Sequence, residues 1–122
     1  MLPSPPPDPN GSIDHYKCYK SFVKPGTPRL QRGVQVSLSD GFTSPPKMFE
    51  LSKPSHLCMP ADAQSTGVLD RKIVFLCYAT RPAKGQPRHI PQFGVQSNDE
   101  FGNLVLNTVK ELEICIPSVR LP

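Results

Sequence analysis

The chain has 122 residues, a formal charge of +4, 37% apolar residues, 16 prolines, 4 cysteines and no tryptophan. That length is one domain by ordinary size, the apolar fraction promises only a small core, and the proline content argues for short strands and loops. No apolar run approaches the roughly 18 residues of a membrane helix, and the basic residues are scattered without the aromatic interleaving of a nucleic-acid surface. Neither membrane insertion nor nucleic-acid binding is expected.

Residues 1–13 read as a tail. Pro3, Pro5, Pro6, Pro7 and Pro9 hold the backbone extended and exclude a helix. This segment is expected to be a linker or an arm that docks on a neighbouring subunit. Asn10-Gly11-Ser12 is a glycosylation sequon, which makes Asn10 a candidate acceptor. Met1-Leu2 runs straight into the prolines with no apolar segment, so no secretory signal is read here. Residues 15–22 read as a strand with Tyr16, Cys18 and Phe22 on one face, followed by a Pro/Gly turn at 24–28. Val34, Val36 and Leu38 alternate with polar residues, the pattern of a strand with one wet face. Two short strands follow, at 47–52 and 56–59. A polar joint at 61–70 leads to residues 71–80, whose apolar run Ile73-Val74-Phe75-Leu76 predicts a strand covered on both faces. After a loop at 81–91, further strands are expected at 92–98, from Leu104, and around Leu112, Ile114 and Ile116. No stretch carries a helical period.

The chain repeats itself. Cys18-Tyr19, Gly26, Pro28, Arg29, Val36, Asp40 and Phe42 recur 59 positions later as Cys77-Tyr78, Gly85, Pro87, Arg88, Val95, Asp99 and Phe101. A closing motif, Leu57-Cys58-Met59-Pro60, recurs 57 positions on as Ile114-Cys115-Ile116-Pro117. A repeat this long argues for duplication of one structural unit. Residues 14–122 are therefore read as a single β domain made of two repeats, 14–62 and 71–119, sharing one core.

Four cysteines without a close Cys-x-x-Cys pair point to disulfides rather than zinc. A Cys₂His₂ set of His15, Cys18, His56 and Cys58 can be drawn, but Val74 and Glu113 replace both histidines in the second repeat, so no metal is expected. Pairing Cys18 with Cys58 and Cys77 with Cys115 makes each repeat self-contained and is the favoured connectivity. Cys18–Cys115 with Cys58–Cys77, and the pairing that joins Cys18 to Cys77, remain open. Bridged cysteines place the chain outside the cell. Asp40 and Asp99 are matched carboxylates, which suggests a small secreted hydrolase, but each precedes an aromatic after a strand, where aspartate ordinarily caps a turn. Phe42 and Phe101 read as core anchors. Tyr19 and Tyr78 read as packing beside the bridges, or as aromatic platforms for sugar with Arg29 and Arg88 nearby.

The Asp14-His15-Tyr16-Lys17-Cys18-Tyr19 opening, the Val-x-Val-x-Leu-x-Asp-x-Phe middle and the Leu-Cys-x-Pro close resemble an uncharacterised two-half extracellular module of secreted proteins from environmental bacteria. The resemblance spans residues 14 to about 119 and implies an extracellular role without bringing any catalytic residue. Val74 departs from the pattern, since a histidine would be expected there.

Together these readings predict an all-β, pseudo-two-fold barrel or sandwich of about eight strands, stabilised by disulfides and needing no cofactor. The expected role is non-catalytic: a structural or adhesive extracellular module, such as a filament subunit, that binds copies of itself or other extracellular proteins. A glycan-binding module is the alternative.

Overall fold

The computed structural model describes residues 13–62 and 67–122. The arm residues Pro3, Pro5, Pro6 and Pro7 and the sequon at Asn10 lie outside the described residues. The fold is all-β: seven strands in two sheets, without a helix among the described residues, hence no helix long and apolar enough to cross a membrane. In order they are β1 (His15–Lys20), β2 (Gln35–Leu38), β3 (Lys47–Ala61), β4 (Ile73–Pro82), β5 (Val95–Asp99), β6 (Gly102–Leu106) and β7 (Glu113–Val119).

The larger sheet runs β1-β3-β4-β7, with β2 joining β1 along the same edge of β3, and β5 and β6 form a separate two-stranded sheet. Every pairing is antiparallel. β3 is one strand of 15 residues where the sequence suggested two. Pro54 does not end it, because the register shifts on either side of that residue and such irregularities absorb the missing amide donor.

The duplication read from the sequence reappears in the hydrogen-bond register. Cys18 faces Cys58 and Tyr16 faces Pro60, as Cys77 faces Cys115 and Phe75 faces Pro117. Val36 faces Phe49 as Val95 faces Leu106. The loops follow suit: Ser21 N donates to Ser55 O and Thr80 N to Leu112 O, while Thr27 N donates to Lys24 O and Gln86 N to Ala83 O. Gly26 and Gly85, at the matched turns, both hold positive φ, at 90° and 84°, a conformation that side-chain-bearing residues rarely adopt.

The halves differ in one respect. In the first, β3 is unbroken and keeps β2 in the main sheet. In the second, the corresponding stretch is split into β6 and β7, and the β5–β6 ribbon leaves the sheet. A closed pseudo-two-fold barrel would need two seams, one between β3 and β4 and one between β7 and β1. Only the first is made, so the sheet is open and the layered architecture, not the barrel, describes the chain.

The core is this one seam. Among the described residues, Phe49, Leu51 and Cys58 on β3, Val74 and Cys77 on β4, and Ala83 just beyond it are the buried apolar ones. Phe42 and Phe101, expected as core anchors, are instead 49% and 76% exposed. Each follows an aspartate in a turn where Asp40 Oδ1 or Asp99 Oδ1 accepts the phenylalanine amide at 2.8 Å. The turn is fixed by its own cap, and the ring stands outside the packed seam.

Candidate functional site

Two bridges join residues directly opposite one another on neighbouring strands: Cys18–Cys58 across β1 and β3, and Cys77–Cys115 across β4 and β7, each with 3.9 Å between Cα atoms. This is the self-contained connectivity. Alternation along the strands puts both bridges on one face of the sheet, where the Tyr16 and Phe75 rings meet edge to face at 4.7 Å. Burial, with the nearby charges of Asp14 and Asp70, pushes the Tyr16 phenol upward, and its hydroxyl donates to the Ile73 carbonyl at 3.3 Å.

Beside the second bridge lies a polar cluster that the sequence did not announce. Ser55 Oγ lies 2.6 Å from Glu113 Oε1 and 3.1 Å from the Cys77 carbonyl, and His56 Nδ1 donates to the same Glu113 oxygen at 2.7 Å. Partial burial opposes ionisation of Glu113, but the hydrogen bonds from Ser55 and His56 and the imidazolium charge outweigh it, and its carboxyl sits below the usual range. A nucleophilic relay needs the imidazole between hydroxyl and carboxylate. Here both side chains converge on one carboxylate oxygen, an arrangement that links β3 to β7 and is not that relay. Cys77, Cys115 and Glu113 also bring three ligand-type atoms within 4.8 Å, but the sulfurs are bonded to each other and offer no thiolate.

Two adjoining clefts, of about 280 and about 300 Å³, lie where the first half's turn meets the second half's loops. Phe42, Thr43, His89 and Glu111 line both; Asp40 borders the first and Arg88 the second. Glu111, which lines both, pairs with the buried Lys47 of the second cleft, Nζ to Oε1 at 2.7 Å. The Lys47 ammonium also lies over the Phe49 ring, 5.3 Å from its centre. A buried lysine is tolerated only when paired, so Glu111 fixes the segment that leads into β7. Asp40 Oδ1 is occupied by the amides of Phe42 and Thr43, and Asp99 caps the β5–β6 turn. The matched carboxylates thus work as turn caps on separate sheets.

The tyrosines proposed as platforms part company. Tyr19 is 47% exposed on edge strand β1, with the Lys17 ammonium 5.0 Å from its ring centre, while Tyr78 is half-buried on interior strand β4. Arg29 is exposed in the loop between β1 and β2. Of the four proposed contact residues, Arg88 alone lines either of these two clefts.

Comparison with protein-family models, with curated proteins and with solved structures finds no match to this chain.

Proposed function

We propose that the chain is a non-catalytic structural or adhesive module that works outside the cell and associates with copies of itself or with neighbouring extracellular proteins. The observation that carries this reading is where the apolar side chains stand. Phe22, Ile90, Phe93, Phe101, Val105 and Val109 are all exposed, while the buried set is confined to one seam. Exposed apolar side chains that gather into a patch mark interaction sites in soluble proteins. The two cross-strand bridges fit an oxidising compartment. Pro3, Pro5, Pro6, Pro7 and Pro9 give the segment 1–13 the composition of proline-rich docking segments.

Sedimentation velocity over a hundredfold range of concentration tests the reading. The full chain is expected to shift to larger species as concentration rises, and deletion of residues 1–12 to weaken that shift while circular dichroism stays β. A chain that sediments as a monomer throughout contradicts it.

The cleft favours a second reading, a glycan-binding module. Phe42 offers an aromatic face and Arg88 and His89 offer donors around it, a common sugar-binding combination. Binding on a glycan array that is lost in Phe42→Ala and kept in Tyr19→Ala would support it.

A further inference from the structure

The internal repeat names the surfaces through which copies would join. Within the chain, the closing strand of the first half, β3, pairs with the opening strand of the second, β4. β7 is the closing strand of the second half and β1 the opening strand of the first, and they lie at opposite edges of the sheet. We propose that β7 of one copy pairs antiparallel with β1 of a second copy, in the register that β3 and β4 already use. This rests on the self-association reading above and specifies its contact.

Three observations carry it. First, the register transfers residue by residue. Leu57 faces Leu76, Cys58 faces Phe75 and His56 faces Cys77. The corresponding pairs across the joint are Ile114 with Lys17, Cys115 with Tyr16, and Glu113 with Cys18 of the second copy. Pro117 lies beyond the last of these pairs, as Pro60 lies beyond Cys58, the last β3 residue paired with β4, so neither proline interrupts a ladder.

Second, the buried residues of the existing seam have exposed counterparts at the open edges. Cys58, Val74, Cys77 and Ala83 are buried, whereas Cys115, His15, Cys18 and Lys24 are exposed. The strands differ the same way: β4, paired on both sides, runs 10 residues, while its counterpart β1, paired on one side, runs 6. At the cysteine positions the residue type is the same and only the covering strand differs, while His15 and Lys24 are polar where Val74 and Ala83 are apolar.

Third, the edges carry complementary groups. Lys17 and Lys20 lie on β1, and Glu113, which also accepts from Ser55 and His56, opens β7. In the transferred register Glu113 and Lys20 of the second copy are diagonal neighbours on one face, a favourable cross-strand relation. Lysine on an edge strand blunts indiscriminate pairing, and here Lys20 meets the one carboxylate of β7.

Because β7 meets β1 and not another β7, the contact is heterologous and extends copies into a ribbon or closes them into a ring.

The test uses the full chain with a benzophenone amino acid in place of Ile114, isotopically labelled and mixed with unlabelled chain at an associating concentration. After irradiation, mass spectrometry is expected to find cross-links from position 114 of one isotope to residues 15–20 of the other. In parallel, Lys20→Glu places like charges against Glu113 and is expected to weaken association about fivefold without loss of the β1–β3 bridge. Intermolecular cross-links landing elsewhere, in residues 1–13 above all, or an unchanged affinity for Lys20→Glu, would overturn the edge joint while leaving self-association standing. A monomer at every concentration would overturn both.

Discussion

Phe49 and Leu106 occupy one position in two copies of a unit, each facing a valine across an antiparallel pair, yet Phe49 is 5% exposed and Leu106 is 48% exposed. The difference is the third strand: β3 has β4 on its far side, with Pro82 opposite Phe49, and β6 pairs with β5 alone. Phe49→Ala empties a packed site and is expected to cost about 3–5 kcal/mol, a large share of the roughly 5–15 kcal/mol that holds an ordinary domain together. Leu106→Ala leaves no enclosed void, since water already reaches half the side chain, and is expected to cost under about 1 kcal/mol. Urea unfolding at low concentration, where chains are separate, measures both. Equal costs would refute the claim that the β3–β4 seam is the core and that its counterpart is unmade.

The bridges close loops of 40 and 38 residues, so removing either by paired Cys→Ala replacement is expected to cost about 4 kcal/mol in the chain-entropy account; urea midpoints of the two variants should fall by similar amounts. Glu111→Ala strands the buried Lys47 ammonium and is expected to cost about 3–5 kcal/mol, with Lys47→Met together with Glu111→Leu recovering most of it. Glu113 is more acidic folded than unfolded, so its contribution is complete above the unfolded carboxyl range and disappears as pH falls through its lowered folded value. Glu113→Gln should therefore lower stability at neutral pH, and wild type and variant should converge in acid, as read by urea midpoints across pH.

Much of the fold is written plainly in the chain. The repeated Cys-Tyr, Gly-x-Pro-Arg and Asp-x-Phe spacings mark two copies, and period-2 runs such as 34–38 mark strands. What such patterns cannot reveal is which edges meet. Alternation reports the face of a strand and says nothing of its neighbour, so the β3–β4 seam and the open β7 edge became visible only in the register. Nothing local marks Lys47 as buried, because its partner, Glu111, lies 64 positions away. The Ser55, His56 and Glu113 cluster is hidden for the same reason, spanning 57 or more positions. Phe42 and Phe101 misled because an aromatic after a strand usually turns inward. Here the aspartate cap fixes the turn, and the ring is left outside the seam.

The most direct test of the central claim is amide hydrogen exchange read strand by strand at two concentrations. The β3 and β4 amides are expected to exchange slowest in dilute solution, and those of β1 and β7 to gain protection as copies join. Edge-strand protection that is already high in dilute solution, or that does not change with concentration, would contradict it.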